Sequence, residues 1–411
     1  MDGRSRVARW YQNTALLLLN FFVFLVVANV GLYVLFRVKD GRSARGAVEE
    51  IARIHENPSL HAVYPDLDAE SVHQLVRETW SRPYEYEPFT QFKERPYRGR
   101  FVNVSEAGFR LSRDQGPWPP DPENFNVFLF GGSTAFGYGV PDDETVASYL
   151  QGYLRESAAP RACVYNFGRS SYISEQERVL LEELLVDGFV PNLAVFMDGL
   201  NEFAFPNGPV ETQRLKAIFE SGDGHAQRWA WIQALPMTRL AQHAHRLALA
   251  RTHRHPGRDP RNAAPVAAID DGKYHDSKMI SGVIARYFAN KTLIESAAHA
   301  WGARVAFVWQ PIPLYKYDLS YHLFATDDFG SNFFARYGYL YMEDHIRKEP
   351  PGDDFLWCAD IQEALHEPLY VDKVHYTARM SKLVASTIGE KMLQRGLLEA
   401  PAGVHARGGS R

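Results

Sequence analysis

The strongest pattern along the chain is an uninterrupted apolar run over residues 15–36, ALLLLNFFVFLVVANVGLYVLF, which carries no charged side chain. As an α-helix that rises ~1.5 Å per residue it would extend ~33 Å, which matches a hydrocarbon core of ~30 Å. A cleaved signal peptide is the alternative, but its apolar segment is usually ~7–15 residues long and ends at a small-x-small site. This run is longer, and the sequence RVKD follows it. We therefore predict an uncleaved transmembrane anchor over residues 15–36.

Basic residues flank the apolar run on both sides: Arg4, Arg6 and Arg9 precede it, and Arg37, Lys39, Arg42 and Arg45 follow it. The positive-inside rule therefore gives almost a tie for the orientation. A short basic N-terminal flank, here residues 1–14, often stays cytoplasmic. On that ground we expect a single-pass membrane protein whose large domain is extracytoplasmic, which in a bacterium is the periplasm.

From residue 124 onward, short apolar runs alternate with longer amphipathic stretches. The apolar runs predict strands over residues 127–130, 162–165, 193–197 and 305–309. The amphipathic stretches predict helices over residues 144–156, 174–186, 277–300 and 378–394. Strands that alternate with helices indicate an α/β fold in which a parallel sheet is covered on both faces. Such sheets bind ligands at the carboxyl ends of their strands.

Three local signals set expected helix ends. Ser174-x-x-Glu177 fits a capping box at the start of one helix, because each side chain could satisfy a free N–H group of the first turn. Gly302 and Gly396 follow two other predicted helices, where glycine is the common C′ residue.

The pattern divides the chain into a membrane-proximal segment over residues 37–123, a globular domain over 124–395 and a tail over 396–411. An insertion at about residues 205–276 interrupts the domain. It contains Trp229, Trp231 and a His/Arg-rich run over residues 243–255. We interpret that run as a solvated helix and loop, with a contact to anionic lipid heads or an acidic polymer as the alternative. The tail is small and polar, which predicts disorder.

Composition excludes few classes of protein. The 411 residues are 45% hydrophobic, which suffices for one sizeable globular domain, and the formal net charge of -4 gives no sign of a nucleic-acid partner. Cys163 and Cys358 could form one disulfide or remain two buried thiols. No Cys/His spacing predicts a metal site.

The first chemical motif is Gly131-Gly132-Ser133-Thr134, at the end of a predicted buried strand. The glycines permit a tight backbone path, and a serine at this edge could act as a nucleophile beside backbone N–H groups that bind an oxyanion. The motif fits neither the G-x-S-x-G nucleophile elbow nor a P-loop. By itself a Gly-Gly-Ser sequence also occurs in ordinary turns.

The second motif, Asp372-Lys373-Val374-His375, supplies a candidate base. A hydroxyl is a poor nucleophile until a base removes its proton, and a carboxylate can hold a histidine in the required tautomer. We therefore predict a catalytic set of Ser133, Asp372 and His375. A histidine that only makes local hydrogen bonds is the alternative for this motif.

Two further motifs follow predicted strands: Asn166-Phe167-Gly168 and Asp198-Gly199-Leu200-Asn201-Glu202. The N–H groups of Ser133 and Gly168 and the side-chain amide of Asn201 could together form an oxyanion hole. Each motif taken separately indicates only a turn.

The order of these residues resembles the SGNH (GDSL-like) hydrolase superfamily, with its name residues at Ser133, Gly168, Asn201 and His375. The resemblance spans about residues 124–395 and implies a three-layer, flavodoxin-like fold with a central parallel sheet. Two blocks depart from the family pattern, because Gly132 stands where the family has Asp and Glu202 stands where it has Asp. The longer Glu202 side chain is expected to make different supporting hydrogen bonds.

The resemblance implies a serine esterase that works through an acyl-enzyme, with no metal and no organic cofactor. An acylated envelope glycan or lipid is the expected substrate. If a sugar hydroxyl replaces water as the acceptor, the protein is an O-acyltransferase, and a multispanning membrane O-acyltransferase is a candidate partner. A non-catalytic glycan-binding or scaffolding domain is the rival from another class.

Three further residues lie next to these motifs. Arg169 could face an anionic substrate or form a surface ion pair. Tyr370 and Tyr376 could line the pocket or pack in the core.

Overall fold

The computed structural model describes residues 3–54, 63–209, 235–238, 240, 274–325 and 329–398. Most of the predicted insertion lies outside these ranges, including its two tryptophans and its His/Arg-rich run. All but the first three residues of the predicted tail lie outside them as well. The chain forms two compact units, of which one contains the N-terminal helix and the other contains the sheet.

The N-terminal helix, α1, runs without interruption over Gly3–Ile54. Its segment Ala8–Leu35 has a mean hydropathy of 2.5, and in the described part of the chain this is the one helix long and apolar enough to cross a membrane. The large apolar side chains of this segment are exposed. Asn29 donates its amide to the Leu25 carbonyl at 2.8 Å, which satisfies a polar group inside the apolar run.

Residues 63–104 carry a short helix and four short strands, which the sequence pattern did not predict. Helix α2 spans Ala69–Trp80, and the Asp68 carboxylate accepts the Ser71 N–H at 2.8 Å to cap its first turn. The strands pair as two antiparallel ladders, β1 (Tyr84–Glu87) with β2 (Gln91–Glu94) and β3 (Tyr97–Arg98) with β4 (Asn103–Val104).

The core of the larger unit is a sheet of five parallel strands: β5 (Phe125–Gly131), β6 (Ala162–Asn166), β7 (Leu193–Asp198), β8 (Arg304–Trp309) and β9 (Phe355–Trp357). Their spatial order is β6-β5-β7-β8-β9. Chain order therefore reverses beside β5, which is the flavodoxin-like arrangement, and the predicted fold class is confirmed. Four of the strands were predicted within one or two residues at each end.

In the described part of this unit, seven further helices follow α2 in chain order: α3 (Ser133–Phe136), α4 (Val146–Ser157), α5 (Ser174–Val186), α6 (Leu200–Ala204), α7 (Ser277–Ala300), α8 (Phe333–Lys348) and α9 (Ala378–Gln394). Helices α4 and α9 cover one face of the sheet, and α5, α7 and α8 cover the other. Short 3₁₀ turns span Asp142–Glu144, Leu319–Tyr321 and Gly330–Asn332. The bounds predicted for α5, α7 and α9 are confirmed.

The two faces of the sheet bury alternate residues, as a strand requires. In β5, Val127 and Leu129 pack toward α4 and α9, whereas Phe128 and Phe130 pack toward α5 and α7. Phe130 stacks on the Phe196 ring of the next strand with ring centroids 4.8 Å apart. Both faces of the strand are therefore apolar, as a parallel sheet covered by helices on both sides requires.

Several local expectations can now be judged. The capping box at Ser174 was wrong, because Ile173 is the N-cap residue of α5 and makes no side-chain cap. Gly302 and Gly396 adopt φ values of 78° and 67° after their helices, as predicted for C′ residues. Both cysteines are buried free thiols, so they form no disulfide.

A third hydrophobic cluster joins residues 63–104 to the sheet domain. It contains Val63, Tyr64, Val72, Leu75, Val76, Val102 and Val104 together with Phe136, Tyr138, Phe324 and Val371. The cluster crosses the boundary that the sequence pattern placed at residues 123 and 124. It packs directly beneath the loops at the carboxyl edge of the sheet.

Candidate active site

The predicted site residues lie at the carboxyl edge of the parallel sheet. Ser133 begins α3 directly after β5, and Gly168 follows β6 by two residues. Asn201 lies in α6, directly after β7. Asp372 and His375 lie in the loop that precedes α9. The topology thus brings together side chains that are up to 242 positions apart in the sequence.

A chain of hydrogen bonds connects Asp372, His375 and Ser133. His375 Nε2 lies 2.8 Å from Ser133 Oγ, and His375 Nδ1 lies 2.6 Å from Asp372 Oδ2. A neutral imidazole with its proton on Nδ1 donates to the carboxylate and leaves Nε2 free to accept the serine proton. This geometry meets the distance requirement for a nucleophile and its general base.

The Asp372 carboxylate is fixed by its own loop as well as by the imidazole. Its Oδ1 accepts the N–H groups of Val374 at 2.9 Å and His375 at 2.8 Å. Burial would raise the pKa of Asp372, but the attraction of His375 and these hydrogen bonds outweigh burial and lower the pKa to about 2. The Asp372 carboxyl group is therefore ionised at neutral pH.

The loop that carries Asp372 and His375 is a tight, well-bonded turn. The Val371 N–H donates to the His375 carbonyl at 2.8 Å. Tyr370 and Tyr376 form an antiparallel bridge and are almost completely buried. Tyr376 donates its hydroxyl to the Pro311 carbonyl at 2.7 Å. Of the two roles considered for these tyrosines, pocket lining and core packing, their burial supports core packing.

Thr134, the residue after Ser133, is bonded to the loop that follows β8. Thr134 is buried, and its Oγ1 donates to Gln310 Oε1 at 2.6 Å. The Gln310 N–H in turn donates to the carbonyl of Asp198, the last residue of β7, at 3.0 Å. Three strand ends are thereby held in register around Ser133.

Gly132 leaves the space that Asn201 needs. A Cβ atom built on Gly132 would overlap the side-chain amide nitrogen of Asn201. That nitrogen donates one hydrogen to the Tyr172 carbonyl at 2.8 Å, so its second hydrogen remains for a group beside Ser133. Because Gly132 has no side chain, the Asn201 amide can approach the backbone beside Ser133.

Gly168 makes a different close approach. A Cβ atom on Gly168 would overlap the Phe136 backbone nitrogen in α3, so only glycine fits here. Its N–H donates to Asn166 Oδ1 at 3.0 Å. The structure therefore places Gly168 beside the nucleophile helix but gives its N–H group an acceptor within the protein. Its role in an oxyanion hole stays a prediction.

Two buried residues that support α3 were not identified from the sequence. Asn166 donates its side-chain amide to the Ala135 carbonyl at 2.9 Å. Arg110 donates to the carbonyls of Gly137 at 2.6 Å and Val140 at 2.7 Å, and it pairs with Asp142 at 2.8 Å. An arginine that is completely buried and bonded to carbonyls after a short helix stabilises the negative end of that helix.

Glu202 supports the loop that carries Asn201. Its carboxylate accepts the Gly199 N–H at 3.0 Å and the Ser174 N–H at 2.9 Å, which links the end of β7 to the start of α5. Burial together with the neighbouring carboxyl groups raises the pKa values of Glu177 and Asp198 well above their usual range. Burial among these carboxyl groups therefore disfavours the charged forms of Glu177 and Asp198.

Arg169 forms an ion pair, which was one of the two roles considered for it, but its side chain is buried and not at the surface. It is buried, pairs with Glu87 of β1 and donates to the Tyr172 hydroxyl at 2.9 Å. It therefore fastens the β1–β2 hairpin to the sheet edge. Within the described ranges no group of three or more metal-ligating side chains is present.

Solved structures of similar fold include lipolytic and esterase proteins. A lipolytic protein of the G-D-S-L family from Desulfitobacterium hafniense is 10% identical, with 65% of this chain and 99% of that chain covered and a TM-score of 0.33. A lipase/acylhydrolase from Enterococcus faecalis is 11% identical, with coverages of 68% and 99% and a TM-score of 0.34. A carbohydrate acetylesterase from Sinorhizobium meliloti is 11% identical, with coverages of 66% and 98% and a TM-score of 0.32.

Comparison with protein-family models and with curated proteins found no match. At these identities the likeness to solved structures concerns the fold alone. The activities of those proteins remain theirs, and the chemistry of this chain has to be derived from its own side chains.

Proposed function

We propose that this protein is a membrane-anchored serine esterase with Ser133 as nucleophile, His375 as general base and Asp372 as the residue that orients the imidazole. One observation carries the proposal, the continuous hydrogen-bonded chain from Asp372 through His375 to Ser133 at the carboxyl edge of the sheet. This chain supplies the nucleophile, the general base and the orienting carboxylate that acyl transfer requires.

The reaction proceeds in two halves. His375 Nε2 accepts the proton of Ser133 as the serine oxygen attacks the ester carbonyl, and the imidazolium then gives that proton to the leaving alcohol. In the second half His375 removes a proton from water, the hydroxide oxygen attacks the acyl-enzyme, and Ser133 Oγ recovers the proton. The Asp372 carboxylate stabilises the imidazolium in both halves, and no metal or organic cofactor takes part.

The oxyanion of each tetrahedral intermediate is held by the Ser133 N–H and by the free hydrogen of the Asn201 amide. The first N–H groups of a helix have no acceptor within that helix, and no side chain caps α3. Gly168 contributes only if its N–H shares the hydrogen that it now donates to Asn166. A glycine is then needed at position 168 mainly because a Cβ atom there would overlap the backbone of α3.

The expected substrate is an O-acylated glycan or lipid of the cell envelope. The apolar helix segment Ala8–Leu35 would anchor the protein and hold the esterase unit near the membrane surface. We place that unit on the extracytoplasmic side, where a membrane O-acyltransferase could act beside it. Protease protection in intact cells or spheroplasts tests this orientation.

The esterase proposal is tested by steady-state hydrolysis of p-nitrophenyl acetate and of acetylated sugars by the purified full-length chain in detergent. Ser133→Ala and His375→Ala should each lower kcat by about 10⁴–10⁶. Ser296→Ala, which removes an exposed hydroxyl on α7, is the matched control and should leave kcat unchanged. Near-wild-type turnover by Ser133→Ala would refute the proposal.

A further inference from the structure

Two aromatic rings border the imidazole of His375. The Tyr138 ring stacks on it with centroids 5.3 Å apart and an angle of 21° between the planes. Trp80 meets it edge-on at 6.1 Å and 81°. Trp80 and Tyr138 also touch each other at 5.7 Å. The imidazole therefore has a stacked ring and an edge-on ring beside it, in addition to the hydrogen bonds at its two nitrogens.

The support of these rings comes from the segment that precedes the sheet domain. Trp80 is the last residue of α2. The Tyr138 hydroxyl bonds to Glu94 Oε1 at 3.3 Å and to the Tyr84 hydroxyl at 3.3 Å. Glu94 pairs with Arg82 at 3.0 Å, and the side chains of both are at most 2% exposed. A buried ion pair of the β1–β2 hairpin region therefore holds Tyr138 in place.

The same segment also contacts the loop that carries the acid and the base. Val371, directly before Asp372, is completely buried in the cluster formed by residues 63–104. Tyr64 donates its hydroxyl to the Gly139 carbonyl at 2.8 Å, just after Tyr138. Residues 63–104 thus contact both the end of the nucleophile helix region and the Asp372–His375 loop.

We propose that residues 63–104 are an integral half of the active site, and that Trp80 and Tyr138 are positioning residues for His375. This inference rests on the esterase function proposed above. An aromatic face attracts a cation, so the stacked Tyr138 ring stabilises the imidazolium that forms when His375 takes the proton of Ser133. They also fix the ring plane, and small misplacements of a catalytic group cost large factors in rate.

The test compares ring removal with ring conservation in the full-length protein. Tyr138→Leu and Trp80→Leu should each lower kcat for p-nitrophenyl acetate by about 10-fold or more, with KM little changed. Tyr138→Phe and Trp80→Phe keep an aromatic ring and should recover most of that loss. Trp301→Leu, an exposed tryptophan at the opposite edge of the sheet, is the matched control.

A second readout does not depend on turnover. The His375 Nδ1 proton bonded to Asp372 should give a low-field proton NMR resonance that Asp372→Asn abolishes. It should broaden or vanish in both leucine variants and persist in both phenylalanine variants. If the leucine variants keep the kcat and the resonance of the wild type, or if phenylalanine is as damaging as leucine, the positioning role is wrong. If the resonance responds as expected but the wild type shows no Ser133-dependent turnover, the positioning stands and the esterase function fails.

Discussion

Gly132, the residue before Ser133, has no side chain, and the Asn201 amide occupies the space that a side chain would fill. Ser133, Asp372 and His375 could be identified from the sequence because their motifs are short and each follows a recognisable strand or precedes a recognisable helix. The acceptor of the Gly168 N–H could not be predicted in the same way. It depends on the rotamer of Asn166, which is set by carbonyls of α3 and not by local sequence.

A methyl group at position 132 should displace the Asn201 amide. We expect Gly132→Ala to lower kcat by about 10²–10³, the usual cost of losing one oxyanion donor, and Asn201→Ala to lower it similarly. Because both changes remove the same interaction, the double variant should be no worse than either single one. Gly152→Ala, where a Cβ atom meets nothing within 4 Å, is the control. Additive losses in steady-state kinetics would contradict this account.

Glu144 should make stability depend on pH. Burial, together with the charges of Asp143 and Asp66, raises the pKa of Glu144 to about 7. Since the folded pKa lies above the unfolded value, the stability that the protonated form contributes is lost as pH rises through about 7. Glu144→Gln should match the wild type at pH 5 and be more stable at pH 8.5, by about 1–2 kcal/mol after allowance for partial exposure. Thermal unfolding at both pH values checks this, and equal melting temperatures at pH 8.5 would contradict it.

At the scale of elements, helices α4, α5, α7 and α9 and strands β5 to β8 were predictable because their apolar periods are unambiguous over many residues. The 16-residue helix α8 was not predicted. The short elements were not predictable. Strand β9 has three residues, and α2 and the β1–β2 hairpin lie in a segment whose aromatic and charged residues show no long period. The false capping box at Ser174 has a clear cause, since Glu177 turns into the core beside Asp198 instead of back toward the helix start.

Glu202 should stabilise the junction between β7 and α5. Glu202→Ala leaves the buried N–H groups of Gly199 and Ser174 without an acceptor and should cost about 2–4 kcal/mol. Glu202→Gln retains one acceptor oxygen and should cost less. Glu175 lies beside Ser174 in the first turn of α5 and is a half-exposed partner of Arg286. The control variant Glu175→Ala should cost under about 1 kcal/mol. Chemical denaturation measures all three, and equal losses for Glu202→Ala and Glu175→Ala would contradict the proposed role.

At the scale of the whole molecule, the order of elements followed from the α/β alternation, but the packing of residues 63–104 against the sheet domain did not. The hydrophobic cluster draws on residues 63–104 and on Phe136, Tyr138 and Val371 near the carboxyl edge of the sheet. Contacts between distant short segments carry no signature in either segment alone.

Removal of the residues before position 51 should therefore leave the activity intact, whereas removal of the residues before position 105 should abolish it. A chain that begins at residue 51 keeps the larger compact unit and should retain the kcat of the full-length protein. A chain that begins at residue 105 lacks Trp80 and the buried Arg82–Glu94 pair and should lose its activity and its cooperative thermal unfolding. Full activity of the shorter chain would show that residues 63–104 are dispensable.

The most direct test of the catalytic assignment is covalent labelling of the full-length protein with a fluorophosphonate, followed by mass spectrometry of the intact chain and its peptides. The hydrogen-bonded chain to Asp372 predicts one adduct, on Ser133, that forms at neutral pH in the wild type. Ser133→Ala should give no adduct, and His375→Ala should react far more slowly. Absence of labelling in the wild type, or labelling that persists in Ser133→Ala, would contradict the account.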